Sequence, residues 1–207
     1  MHNLAQRLAG ILAENSSQTV HTDELRYGIE IVLGALLQII LVALAAAVAN
    51  ILIETMAVLI TLFLYRRYTG GEHCETYYRC TVSTIFTVLI LGKAAALLSA
   101  DYWRIAMIMV CLLSSYLIYK VVPADNPVLT IDDPGQRQQM KIGAMAVLLA
   151  MLIVSSVFVV KYHQNAVGAA ILLGLFWQDL TLFRPGKIYI NVWDKLFGSL
   201  ERLLERR

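Results

Sequence analysis

The sequence predicts an all-α, polytopic membrane protein: six transmembrane helices, with an amphipathic interfacial helix at each terminus. Three observations predict it. Hydrophobic residues make up 58% of the 207 and charged residues only 15%, whereas a soluble domain carries about 25% charged residues. The apolar residues gather into runs of bilayer-spanning length, and all four prolines fall outside those runs. The Lys and Arg residues then sort to one side of the alternating loops.

Residues 1–28 form an N-terminal amphipathic region in which Leu4, Leu8, Ile11 and Leu12 share one helical face. The polar stretch 15–24 that follows has no small-residue cleavage pattern, so no signal peptide is expected. Five apolar runs come next, at 29–48, 81–98, 105–122, 142–160 and 166–183. Each is near the ~20 residues that cross a ~30 Å hydrocarbon core. A sixth run, 51–65, is shorter and needs bilayer thinning or help from its flanks. Because Pro123, Pro127, Pro134 and Pro185 lie outside the runs, each span keeps its backbone hydrogen bonds internal. Residues 184–207 form a C-terminal amphipathic helix, with Trp193, Leu196, Phe197, Leu200, Leu203 and Leu204 on one side and Lys195, Glu201, Arg202 and Arg206 opposite. The two terminal helices either anchor the ends or guide a membrane-bound substrate. The whole chain, 1–207, reads as one domain whose transmembrane bundle is 29–183.

If all six runs cross and the N-terminus is cytoplasmic, fourteen of the 17 Lys and Arg residues lie inside, with Arg104, Lys161 and the intramembrane Lys93 as the exceptions. Both termini are then cytoplasmic. A net charge of +2 without a dense basic run argues against a nucleic-acid partner. Three cysteines form an odd set with no disulfide-framework spacing.

The densest polar stretch beside the membrane is Arg66 to Cys80, after the second run. Gly70-Gly71 permits a tight turn, and His73 and Cys80 follow it. A cysteine attacks as a thiolate, and a nearby imidazole takes its proton. Residues seven apart on a helix share a face but differ by ~10.5 Å of rise, whereas direct proton transfer needs heavy atoms within ~3.2 Å. The backbone must therefore turn between the two residues, or His73 must sit on a loop folded onto the next helix. If that helix starts near Thr76, Cys80 lies in its first turn, where the helix dipole favours a thiolate and Arg79 or Arg67 adds to the effect. On spacing alone, a chance histidine in a basic loop and a cysteine buried as a small hydrophobe are the readier description. His73, Cys74 and Cys80 also offer three metal ligands, but no fourth is spaced to join them, so no metal is expected.

The run Arg67-Tyr68-Thr69-Gly70-Gly71-Glu72-His73, with Cys80 seven residues on, resembles the active-site loop of the accessory gene regulator B (AgrB) family. Val122-Pro123-Ala124-Asp125-Asn126-Pro127 resembles that family's cytoplasmic loop between the fourth and fifth spans. Length, six apolar runs and two terminal helices also fit, so the resemblance covers nearly the whole chain. It implies a bacterial cell-membrane cysteine endopeptidase that cuts an AgrD-like precursor peptide through an acyl-enzyme thioester. A cysteine or serine of the peptide then closes a thiolactone or lactone. It further implies Cys80 as nucleophile, His73 as general base, membrane lipid around the chain and a homodimer, with no cofactor. Cys74 departs from the pattern, which has a small residue there, and is expected to play no part. A thioester conserves acylating power, so ring closure needs no ATP, and no phosphate-binding G-x-x-x-x-G-K loop is present.

Ionisable residues inside spans are functional candidates. Glu54 and Lys93 reach similar depth in neighbouring antiparallel runs and are expected to pair. Asp179 reaches the level of the active site, where it would orient His73 as a third catalytic member, pair with Arg184 or cap a helix contact. Asp125, Glu72 and Glu75 are rival orienters. Gln38, Asn50, Ser114 and Ser115 are expected to bond between helices. Two other functional classes remain open on sequence grounds: a small membrane transporter or peptide exporter, and a catalytically silent scaffold.

Overall fold

The computed structural model of the chain describes residues 2–14, 22–71, 74–98, 102–124 and 133–205. These residues form eight helices and no strand: α1 His2–Glu14, α2 Thr22–Val48, α3 Leu52–Thr69, α4 Tyr77–Leu97, α5 Trp103–Lys120, α6 Pro134–Val160, α7 Asn165–Thr181 and α8 Arg184–Glu205. The six apolar runs of the sequence fall, to within two residues at their ends, one on each of the helices α2 to α7. Several helices outgrow their runs. α6 begins at Pro134, where the fixed φ of proline suits a first helical position. The Asp133 carboxylate caps it, accepting from the N–H groups of Gly135 and Gln136 at 3.1 Å each.

Among the described residues, four helices are long and apolar enough to cross a membrane: α2 over Leu25–Val48, α4, α5 and α6. α7 and α8 count as a fifth only if taken together, and they are bent by 86° to one another. The shortfall from six has a physical reason. α3 has 18 residues and carries Glu54, Arg66 and Arg67, and α7 has only 17. These two helices form the middle of the bundle. α3 packs against α2, α4, α6 and α7, while α7 packs against α3, α4, α5, α6 and α8. Ala170, Leu175, Gln178 and Asp179 of α7 are wholly buried. The outer helices turn large apolar side chains outward, among them Ile31 and Leu44 of α2, Ile105 and Leu112 of α5 and Ile153 of α6. Such a surface is stable in hydrocarbon and costly in water.

Two apolar clusters fill the interior, one around Tyr65, Leu148 and Leu175, the other around Val42, Val58 and Val88. Small residues set the helix spacing, as in other membrane bundles. A methyl group at Gly174 would come within 3.1 Å of the Thr61 Cβ, and one at Gly92 would collide with Thr55.

That Gly92–Thr55 contact corrects the expected pairing of Glu54 with Lys93. No ion pair joins them among the described residues. Their depth agrees with expectation, because each is one residue from the contact. On antiparallel right-handed helices, however, the residue before Thr55 and the residue after Gly92 rotate about 100° to opposite flanks. Of the proposed interhelical hydrogen-bonding residues, Ser114 makes such a bond; Gln38, Asn50 and Ser115 make no side-chain hydrogen bond among the described residues.

The terminal helices also differ in detail from expectation. α1 packs on α2 through Ala5 and Ala9, leaving Leu8, Ile11 and Leu12 exposed. On α8 the apolar arc divides. Trp193 and Phe197 stack on the protein, whereas Ile188, Val192, Leu196, Leu200 and Leu203 form an exposed aliphatic stripe.

Candidate functional site

α3 ends at Gly70, whose φ of 75° and ψ of −155° belong to a region open only to glycine. The Gly70 N–H still bonds back to the Arg66 carbonyl at 2.9 Å, closing the helix. Gly71 follows at φ 137°. The turn is docked by two segments remote in sequence. Ala124 donates its N–H to the Thr69 carbonyl at 2.9 Å and pairs with Gly70 in a parallel bridge. Gln178, wholly buried on α7, donates Nε2 to the Gly70 carbonyl at 2.8 Å and to Thr69 Oγ1 at 2.9 Å. The two stretches that resemble AgrB loops are therefore side by side, although more than fifty residues separate them.

One turn deeper lies a second buried polar cluster. Asp179 accepts from the Tyr65 hydroxyl at 3.3 Å and from Ser114 Oγ at 2.5 Å, and all three side chains are wholly buried. Each carboxylate oxygen thus has a donor, as a buried carboxylate requires. No Asp179–Arg184 pair forms among the described residues.

α4 starts at Tyr77 behind Thr76, as the sequence predicts. Cys80 closes its first turn, its N–H bonded to the Thr76 carbonyl at 3.2 Å and its carbonyl accepting from Ser83 at 2.9 Å and Thr84 at 2.8 Å. The thiol is half-buried. Cys74 lies 3.8 Å from Ser83 Oγ, nine residues ahead of it. In continuous helix nine residues would rise about 13.5 Å. The segment before α4 therefore folds back along it. Burial above all pushes the Cys74 thiol up to about 11, and the neighbouring Cys80 thiol adds to the rise.

His73 lies outside the described residues, as do Glu72 and Asp125 among the rival orienters. Of the other residues singled out from sequence, Gly70, Gly71 and Cys80 sit at this end of the bundle. Arg67 is exposed, with no charged partner among the described residues. Arg79 is buried and grips carboxylates instead of facing Cys80: Glu75 at 2.9 Å, Glu201 at 2.7 Å and Asp194 at 3.4 Å. A guanidinium so neutralised lends little positive charge to a thiolate. It clamps α4 to α8, beside an aromatic ladder in which Tyr189 packs on Trp177, Trp193 on Phe86 and Phe197 on Tyr78. Glu75 is thereby paired with Arg79.

Sequence reasoning missed Gln178 and Tyr65, and it did not foresee that Ala124 docks on the glycine turn. A signal for Gln178 was present, because Gln178, Asp179 and Thr181 are the only polar residues in the run 166–183. Among the described residues no three metal-ligating side chains converge.

Fold and site together define a class: an all-helical, multi-pass membrane protein whose buried polar residues converge on a glycine turn beside a cysteine-bearing helix start. Comparison with known proteins makes this specific. The sequence profile of Accessory gene regulator B matches residues 5–182, and the chain belongs to that family. It is similar to "Putative AgrB-like protein 2" of Clostridium perfringens (strain 13 / Type A), at 23% identity over 95% of this chain and the whole of that relative. It is equally similar to "Putative AgrB-like protein" of Clostridium perfringens (strain SM101 / Type A), at 24% identity with the same coverage. No solved structure matches.

Proposed function

We propose that the protein is a membrane-embedded cysteine endopeptidase that cleaves an AgrD-like precursor peptide at the cytoplasmic face. The observation that carries this reading is the docking of Gly70 against Ala124 and Gln178 at the end of the bundle from which α4 presents Cys80. The proposal extends to topology. α2 to α7 all cross, α3 and α7 being short because neighbouring helices, not lipid, surround them. The 86° bend after α7 lays α8 in the interface, its aliphatic stripe toward lipid. The whole chain is one membrane domain, both termini are cytoplasmic, and the assembly is a homodimer.

In this mechanism His73 removes the Cys80 proton, and the positive end of α4 favours the resulting thiolate. Sulfur attacks the scissile carbonyl. Collapse of the tetrahedral adduct breaks the C–N bond, and His73 returns its proton to the departing amine. The upstream fragment remains as a Cys80 thioester. A thiol or hydroxyl within that fragment then attacks the same carbonyl, loses its proton to the base and releases Cys80, closing a thiolactone or lactone. The acyl group passes from Cys80 to the peptide's own nucleophile by thioester exchange, a step that consumes no nucleotide.

The test is cleavage in a lipid membrane. The purified full-length protein, reconstituted with a candidate precursor, should give a truncated peptide, a cyclic product and a hydroxylamine-sensitive adduct by mass spectrometry. Cys80→Ala should abolish all three; undiminished cleavage by that variant would sink the mechanism.

A further inference from the structure

Cys74 stands beside the nucleophile and has no part in the peptidase mechanism. Its Sγ lies 3.8 Å from Ser83 Oγ, and the same hydroxyl donates to the Cys80 carbonyl at 2.9 Å. Cys80 and Ser83 are three apart on α4 and share a face, and the folded-back segment lays Cys74 on that face. Burial first, and the Cys80 thiol after it, raise Cys74 to about 11, so it stays a thiol at neutral pH. Cys80 closes the first turn of α4, where the helix dipole favours a thiolate. Both side chains are half-buried, open enough for a small reagent to reach them. Cys74 precedes the helix in irregular backbone, so it can close onto Cys80 without breaking a helical hydrogen bond. The third cysteine, Cys111, packs against the apolar core from α5 and serves as the control.

We propose that Cys74 and Cys80 are a modification site: peroxide joins them in a reversible disulfide that switches the peptidase off and protects its nucleophile. The bond needs only the geometry of the two thiols, whereas its effect on cleavage rests on the peptidase reading. The Cys80 thiolate attacks one peroxide oxygen, the O–O bond breaks, and the departing hydroxide takes up a proton to become water. Cys80 is then a sulfenic acid. The Cys74 sulfur attacks the Cys80 sulfur, the S–O bond breaks, and hydroxide leaves with the Cys74 proton as a second water. Two electrons have passed from the two sulfurs to the peroxide. Cys74 reacts despite its protonation because it is already in place, and proximity substitutes for thiolate character. The disulfide forestalls the next oxidation of Cys80, to an irreversible sulfinic acid. Exchange with a cytosolic thiol returns both residues to the reduced state.

The test exposes the full-length protein in lipid nanodiscs to hydrogen peroxide, stops the reaction with catalase and blocks the remaining thiols with N-ethylmaleimide. Trypsin cuts after Arg67, Arg79 and Lys93, so the bond appears in mass spectrometry as peptide 68–79 joined to peptide 80–93. The joined product should come from single chains on a non-reducing gel, with the peptide bearing Cys111 unlinked. In parallel samples left unblocked, peroxide should lower precursor cleavage by about tenfold or more, and dithiothreitol should restore more than about half of it. Cys74→Ala should cleave normally when reduced, yet regain less than about a tenth after the same exposure, because its Cys80 proceeds to sulfinic acid. Absence of the joined peptides, a link found only between two chains, or a Cys74→Ala variant that recovers as fully as wild type overturns the proposal. Undiminished cleavage by reduced Cys80→Ala would instead overturn the peptidase reading, and the joined peptides would still decide the bond.

Discussion

Replacing Gly70 by alanine perturbs the turn at a single atom, and the cost can be worked from its geometry. At φ 75° and ψ −155° an L-residue is strained, by about 1–3 kcal/mol. The new Cβ would also stand 2.9 Å from the Ala124 carbonyl oxygen. That oxygen cannot simply retreat, because the Ala124 N–H is bonded to Thr69. Moving it forfeits a buried hydrogen bond, worth about 1 kcal/mol. The sum is about 2–4 kcal/mol, concentrated on the docked turn and not on the helix bundle, which equals roughly a 30- to 1000-fold shift between docked and undocked turn at 1.36 kcal/mol per decade.

Gly71→Ala is the internal control. Its φ of 137° is strained too, but its Cβ would meet the Arg66 guanidinium and Gln178 Nε2 at ordinary contact, 3.5 Å. It lacks the collision and should cost less. Single-turnover cleavage of a precursor peptide by protein in lipid nanodiscs should therefore fall in the order wild type, Gly71→Ala, Gly70→Ala, the last by at least tenfold. Thermal unfolding of the bundle should change little. Cleavage by Gly70→Ala within threefold of wild type, or a larger loss for Gly71→Ala, would refute the claim that the docked turn is the competent one.

Two further outcomes are expected. Arg79→Ala removes a buried guanidinium from three carboxylates, a change that costs about 3–5 kcal/mol when all partners are buried. Here Glu75 and Glu201 are 75% and 45% exposed and rehydrate, so about 1–3 kcal/mol is expected. Amide hydrogen exchange across 189–201 should accelerate, and protection equal to wild type would show that the aromatic ladder alone holds α8. Cys74, its thiol raised to about 11, is protonated at neutral pH. In a chain whose other two cysteines are alanine, its alkylation should climb about tenfold per pH unit from 7 to 10 without a plateau. Cys74→Ala should leave cleavage within twofold, and a plateau near pH 8 would contradict the burial argument.

The parts of this protein that were legible in its sequence are those governed by rise and composition. Apolar runs located α2 to α7 because a span is a count of residues at 1.5 Å each. The start of α4 followed from the polar stretch before it, and the turn at Gly70 followed from two adjacent glycines. Azimuth was not legible. Glu54 and Lys93 were placed at the right depth and still do not meet, because which flank a residue takes depends on where two helices touch, here at Thr55 and Gly92. Arg79 misled for a related reason. Local charge made it a partner for Cys80, but its carboxylates at Asp194 and Glu201 lie more than a hundred residues away. Gln178 was passed over beside Asp179 because a charge inside a span draws attention first, although the amide reaches the turn and the carboxylate serves the core.

These long-range contacts divide the site between two supports. The glycine turn is held by Gln178 of α7 and by Ala124 just beyond α5. The start of α4, which carries Cys80, is held by α8 through Arg79 and the ladder of Tyr189, Trp193 and Phe197. α7 and α8 are one polypeptide bent through 86°, and the bend is tight: the Leu182 N–H bonds the Asp179 carbonyl, the Phe183 N–H that of Leu180, and the Gly186 N–H that of Phe183. The α7–α8 corner thus adds a short, hydrogen-bonded link between the turn and the cysteine to the direct packing of α4 on α3 and α7. A short corner relays position with less slack than a long loop, and in-line attack tolerates errors of well under ~1 Å.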